Sequence, residues 1–185
     1  MDVFHEEVVV KNNTSLQSAM YIMSIIIMVL CGAYALIMIN PLIFIISSEG
    51  FSAAIIPDIV IFLMSIASCV LIFLNKDKIK TEYEYTFTNG ILDFAKVFNN
   101  RKRKNLGSMN VRNVEACGLV SSGSFKRFSG MQGVKITNWF LNRDSELFYF
   151  YFVKGNEKQM IVIEPSEHLR NMIIKFAGQG KYQVN

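Results

Sequence analysis

Thr81–Phe98 reads TEYEYTFTNGILDFAKVF. Tyr83, Tyr85 and Phe87 alternate with Glu82, Glu84 and Thr86, the period of two that marks a half-buried strand. The run ends on Asn89-Gly90, the strongest two-residue hairpin signal, and Ile91–Phe98 returns as a second strand. Beyond the polar run Asn99–Asn105, read as a loop, strands are expected at Leu106–Val111 and Val114–Val120. The glycine-rich stretch Gly118–Gly133 is read as a loop, followed by strands at Val134–Phe140, Leu147–Lys154 and Gln159–Ile163. In the sixth strand Phe148, Phe150 and Phe152 share one face and Tyr149 and Tyr151 the other. The phenylalanine face is the expected core, because a buried tyrosine hydroxyl needs a partner.

After these strands Leu169, Met172, Ile173 and Phe176 recur at helical spacing and make one apolar stripe. Pro165 marks the start of that helix and Gly178 its stop. Seven strands and one terminal amphipathic helix is the element order of a pleckstrin-homology (PH) fold. The β domain is therefore expected over 81–185, as an antiparallel seven-stranded sheet closed by a C-terminal helix.

Upstream the character of the chain changes. No charged side chain lies between Lys11 and Glu49, a stretch of 37 residues, nor between Asp58 and Lys76, a stretch of 17. A helix needs roughly 20 apolar residues to cross the hydrocarbon core of a bilayer. With 51% hydrophobic and 18% charged residues over 185 positions, the chain fits neither a disordered protein nor a wholly soluble globule. Two spans are expected at about 16–39 and 57–74, the first capped by Thr14 or Ser15 and weakened at Asn40-Pro41. Residues 16–74 then form a transmembrane hairpin, 1–15 an N-terminal segment and 75–80 a basic linker. The full expectation is an α+β chain.

Lys76, Lys78 and Lys80 crowd the exit of the second span, whereas Asn40–Ile56 has no Lys or Arg. The positive-inside rule makes that exit cytoplasmic, and two spans return the N-terminus to the same side. The acidic opening MDVFHEEVVVK is not read as a cleaved signal, which would carry a basic n-region. From Asn75 onward the chain holds 18 basic and 10 acidic residues, so the net charge of +4 conceals a strongly basic second half.

The chemistry-bearing residues are few. Three cysteines, Cys31, Cys69 and Cys117, with no CxxC pair, read as reduced, incidental thiols. No nucleophile elbow is present, and a Cys–His pair would have to unite Cys117 with His5 or His168. Glu164 and His168, four apart, are too few for a zinc site and are read as an exposed helix-surface pair, with Glu164 and Glu167 as a helix start. No catalytic residue, metal or cofactor is expected, nor nucleic-acid binding, since no such module accompanies the basic charge. Ser24, Cys31 and Ala35 on the first span and Ser65, Ser68 and Cys69 on the second suit close helix approach, within the hairpin or between copies in a homo-oligomer.

The opening MDVFHEEVVVK, the two apolar runs, YEYTFTNG, RKRK, VRNVE and the late EPSE together resemble one group. It consists of small two-span membrane proteins of clostridia and their relatives, which carry a bacterial PH-like domain. The resemblance implies a Gram-positive plasma membrane and no particular activity. In lipid-binding PH domains the basic pocket lies between the first two strands. Here that turn, read as Asn89-Gly90, argues against a phosphoinositide site.

Two candidate contact regions remain. Arg101, Lys102, Arg103 and Lys104, with Lys76, Lys78 and Lys80, are expected to form a basic collar toward anionic lipid headgroups. Phe125, Lys126, Arg127 and Phe128 either dock on a bilayer or partner, or fold back onto the core. The function expected is a membrane-anchored PH-like adaptor that docks a membrane or cytoplasmic protein or the inner leaflet. The alternative is an accessory subunit of a larger membrane complex, held by its hairpin.

Overall fold

The computed structural model describes residues 2–184. The chain divides into two compact units: one built from the chain up to Asn12 together with the chain from Thr81 onward, the other from Asn13–Lys80. Strand β1 spans Phe4–Val9 and is followed by helix α1, Thr14–Glu49, and helix α2, Ile56–Asn75. A 3-10 turn at Lys76–Ile79 leads into β2 (Thr81–Thr88), β3 (Ile91–Phe98), β4 (Lys102–Asn110) and β5 (Ala116–Leu119). Then come α3 (Gly123–Ser129), β6 (Val134–Trp139), β7 (Phe148–Lys154), β8 (Glu157–Ile163), α4 (Glu167–Ala177) and β9 (Tyr182–Gln183).

The helical unit is an α-hairpin. Asn13 caps α1 by accepting from the Leu16 amide at 2.9 Å, one residue before the expected Thr14. The helix continues through Pro41 to Glu49 and does not break at Asn40-Pro41. Its 36 residues extend about 54 Å at 1.5 Å per residue. Both helices are long and apolar enough to cross a membrane. Ser24, Cys31 and Ala35 and, on α2, Ser65, Ser68 and Cys69 are all half-buried, while Leu36, Ile37, Phe44, Met64 and Leu71 are exposed. The small residues thus follow the stripe along which the two helices pack, and a Cβ on Gly32 would sit 3.7 Å from Cys69 Sγ.

The β unit has two sheets. The first has the order β1-β2-β3-β4 and the second β6-β8-β7-β5-β9. Among the described residues nine strands replace the expected seven, the additions, β1 and β9, preceding α1 and following α4. Nor is the unit wholly antiparallel: β6 pairs with β8, and β5 with β9, in parallel. The core between the sheets contains Tyr85, Phe87, Leu92, Phe94, Phe148 and Phe150, closed by Leu169 and Ile173 of α4. Ser166 caps α4 by accepting from the Leu169 amide at 3.2 Å, and Gly178 (φ 92°) ends it. Tyr149 and Tyr151, assigned to the solvent face by alternation, are also buried, in a second cluster with Phe125 and Phe128. The Tyr149 hydroxyl finds its partner in Ser124 Oγ, 2.9 Å away.

The largest departure from expectation is the N-terminal segment. Phe4–Val9 is a strand of the β unit, paired antiparallel with β2 from Phe4↔Thr88 to Val9↔Tyr83. The helical hairpin is therefore inserted between two hydrogen-bonded neighbours. Asn89-Gly90 joins β2 to β3, and the connection between the first two strands is the hairpin itself.

Candidate docking surface

Arg101–Lys104 was expected in a loop but belongs to a tight hairpin and its returning strand. Asn99 and Asn100 adopt φ of 50° and 51°, the left-handed turn geometry that asparagine tolerates. The Arg101 amide donates to Phe98 O at 3.0 Å, and β4 starts at Lys102 opposite Phe98. Arg103 Nε lies 2.8 Å from Glu84 Oε2 across the outer face of the sheet, the arginine side chain 61% exposed. Such a pair contributes at most about 1 kcal/mol. Lys102 and Lys104 are exposed.

Because Thr81 pairs with Phe98 and Val9 with Tyr83, this basic turn sits at one particular end of the sheet. It is the end at which the chain leaves β1 and returns to β2. Within the helical unit, Lys76 Nζ lies 4.8 Å from the Phe73 ring centre, and Lys80 Nζ lies 5.0 Å from that of Tyr21. Lys78 Nζ donates to Asn75 Oδ1 at 2.7 Å.

The stretch Gly118–Gly133, read as a loop, contains helix α3. Phe128 stacks on Tyr151 with centroids 4.7 Å apart, and Phe125 packs against Tyr149 at 5.6 Å. Both rings are spent on the second cluster, and only Lys126 and Arg127 project to solvent. Ser122 caps this helix, and the spacing of Phe125 and Phe128 is the signal that marked it.

Several polar residues that sequence reasoning did not single out hold β1 in place. Asn142 donates through Nδ2 to Val10 O at 2.9 Å and accepts through Oδ1 from the Asn12 amide at 2.8 Å. Glu164 in turn fixes Asn142: its carboxylate accepts from the Leu141 and Asn142 amides, Asn142 Nδ2 and Ser145 Oγ. Glu164 precedes α4 and anchors this loop, so of the two expected helix-start residues only Glu167 lies in the first turn, and Glu164 and His168 do not share a helix face. The two histidines meet each other, His5 of β1 against His168 of α4 with ring centroids 4.9 Å apart.

Burial shifts four titratable groups toward their protonated forms, Tyr83, Tyr85, Cys117 and Tyr149. Burial pushes the Tyr85 hydroxyl well above its ordinary range, where it donates to Trp139 O and accepts from the Glu164 amide at 3.3 Å. Burial also raises Tyr83 and Tyr149, the latter against the opposing hydrogen bond to Ser124. The Cys117 thiol is pushed up to about 12 by burial, with Lys181 opposing. A thiol so protonated is a poor nucleophile.

At the free side of β4 the sandwich opens into a groove of about 380 Å³. Phe94, Leu106, Met109, Trp139, Phe152 and Ile161 are among its apolar lining, and Lys154 is the one charged residue among the described lining. The strand beside it bulges: Phe94 pairs with Gly107 and Ala95 with Asn105, leaving Leu106 as the extra residue.

A family model described as Bacterial PH-like domain (DUF6106) matches residues 49–182. The match takes in α2 and the β unit from β2 to the first residue of β9, while β1 lies outside it. No curated protein and no solved structure matches the chain.

Proposed function

The chain belongs to the bacterial PH-like domain family DUF6106, and from that premise we propose that it is a membrane-anchored binding module. The observation that carries this reading is the insertion of an apolar helical hairpin between the paired strands β1 and β2. A hairpin whose outward side chains are large and apolar has the composition of a bilayer span, and here it tethers a PH-like unit at both ends. The lysines at the exit of α2 support a cytoplasmic position for that unit through the positive-inside rule. The role is binding and not catalysis. Alkaline carbonate extraction tests the anchor: the chain stays with the membrane pellet, and release into the supernatant would overturn it.

Contact of the unit with the inner leaflet is favoured by a separate observation. The basic turn Arg101–Lys104 lies at the sheet end where both connections to the hairpin begin. Each basic side chain near an anionic leaflet contributes about 1 kcal/mol. The test uses the full chain in nanodiscs, with Asn100→Cys carrying an environment-sensitive dye and Cys31 and Cys69 replaced by serine. Emission shifts when phosphatidylglycerol is added to phosphatidylcholine. Indifference to lipid charge would remove leaflet contact and leave docking of a protein. The accessory-subunit alternative instead requires the hairpin alone to retain a partner.

A further inference from the structure

We propose that the groove beside β4 receives an extended acidic peptide, which adds to Lys102–Asn110 as a further strand of the first sheet. The proposal rests on the binding-module reading and names the chemistry of its partner. Among the described residues, strand β4 has β3 on one side and no strand on the other. An edge of this kind is a template for strand addition, in which backbone pairing supplies affinity and alternate pockets supply selection.

The groove provides those pockets. Leu106, Met109, Trp139 and Phe152 are partly buried against the main core and line the groove together. One face of an incoming strand can therefore bury its apolar side chains there while its backbone pairs with β4. The Gly107 amide is already held by Asn105 Oδ1 at 2.8 Å, so the bulge is braced without an occupant.

Charge selects the occupant. Among the described residues the lining includes Lys154 and no carboxylate, and the strand beside it begins in Lys102, Arg103 and Lys104. An acidic strand is attracted along this edge. Pairing two copies in parallel through β4 would set their basic runs side by side, where like charges across strands are destabilising, and antiparallel pairing would set Lys102–Lys104 of each copy opposite the uncharged Ser108–Asn110 of the other, with no carboxylate to meet them. In an antiparallel addition the peptide's C-terminal residues face Lys102–Lys104, so the acidic residues belong there. The groove begins at Leu106, about 7 Å beyond Lys104 at about 3.3 Å per residue, so the peptide's apolar side chains lie clear of the leaflet-facing turn while its acidic end and an anionic leaflet compete for Lys102–Lys104.

The test exploits Trp139, the chain's single tryptophan, which lines the groove. The full chain is placed in phosphatidylcholine nanodiscs and titrated with a nine-residue peptide, the length of β4. The peptide alternates valine and threonine and ends in three glutamates. Tryptophan emission changes saturably with this peptide and not with a version ending in three lysines. Lys104→Glu combined with Lys154→Glu, both exposed positions, weakens the glutamate peptide about tenfold or more and admits the lysine peptide.

No saturable change, equal binding of both peptides, or a response only to self-association of the chain would overturn the proposal. So would a Trp139 response to phosphatidylglycerol in place of peptide, which would make the groove a lipid contact. Failure here with the Asn100 dye still sensing anionic lipid removes the peptide and leaves the anchored module standing. A peptide response from a chain that carbonate releases would do the reverse.

Discussion

Glu7 and Ser166 are joined twice. The Ser166 amide donates to Glu7 Oε1 at 3.0 Å, and the Ser166 hydroxyl donates to Glu7 Oε2. One residue lies in the strand before the helical hairpin, the other caps the last helix, so this contact closes the β unit across nearly the whole chain. It also shields the N-cap of α4, whose Ser166 Oγ accepts from Leu169. Glu7→Ala is expected to lower the stability of the β unit by about 1–2 kcal/mol. Hydrogen exchange of β1 and the first turn of α4 reads that loss, and an unchanged β1 would show that the contact holds nothing.

Asn142 is the second fastening. Asn142→Ala leaves Val10 O, the Asn12 amide and part of the Glu164 carboxylate without their present partners. A cost of about 1–3 kcal/mol is expected, and limited proteolysis at Val10–Asn13 should accelerate in proportion. Asn142→Asp restores the acceptor to Asn12 but sets a second carboxylate beside Glu164, so it is expected to rescue little.

Removing β1 has a larger effect. Residues 81–184 alone expose the edge of β2, whose inward residues Tyr83, Tyr85 and Phe87 are core members. Open edges of this kind invite aggregation. Residues 2–12 joined to 81–184 by a short flexible linker are expected to be monomeric, because Val9 and Tyr83 are direct neighbours. Size-exclusion chromatography of the two chains makes the comparison, and equal behaviour would remove β1 from the fold.

Gly118 accommodates the C-terminal strand. A Cβ there would lie 2.7 Å from Gln183 O and 3.2 Å from the Tyr149 ring. Gly118→Ala is therefore expected to strip Tyr182–Gln183 from β5 and to expose the Cys117 amide, which now donates to Lys181 O at 2.9 Å. Faster hydrogen exchange confined to β5 and β9 is the expected result.

Stability should fall at high pH. Cys117 is raised from 9.0 to about 12 by burial, and Tyr85 is raised by the same cause. The unfolded chain releases these protons first, so their contribution is fully present below about pH 9 and is lost as pH rises toward 12. The expected slope is about 1.4 kcal/mol per pH unit for each group deprotonated only on unfolding. Cys117→Ala removes the part of the slope that begins near pH 9 and leaves the tyrosine part. Folded chain at pH 8 should also resist maleimide at Cys117.

Legibility in the sequence followed the range of the interactions. The alternation in Thr81–Phe98 and the stripe on α4 are local signals, and both elements stand where those signals put them. β1 escaped because its partner is β2, beyond the whole hairpin, and because Phe4–Val9 runs toward a long uncharged stretch that dominates the reading. Arg101–Lys104 looked like a loop because four charges suit solvent, yet an edge strand keeps one side in solvent and uses such charges for protection. Tyr149 and Tyr151 were placed outside because alternation cannot report that α3 covers the second face. The hairpin was legible as apolar segments, but Pro41 was overweighted as a breaker. The basic turn was found as a charge run; the groove beside it, assembled from β4, β6, β7 and β8, was invisible.

One cross-link tests the central claim that a strand preceding the hairpin completes a PH-like unit following it. Val8 and Glu84 are direct partners in the β1–β2 ladder, a spacing within disulfide reach. Val8→Cys and Glu84→Cys are placed in a chain with Cys31, Cys69 and Cys117 replaced by alanine and a protease site inserted at Gly50–Ser52. Native membranes are oxidised, the site is cut, and the fragments are separated without reductant. The structure predicts that the two halves remain joined, which also puts both on one side of the bilayer. Separation of the halves, with the cysteines accessible to small oxidants, would contradict both the fold and the tether.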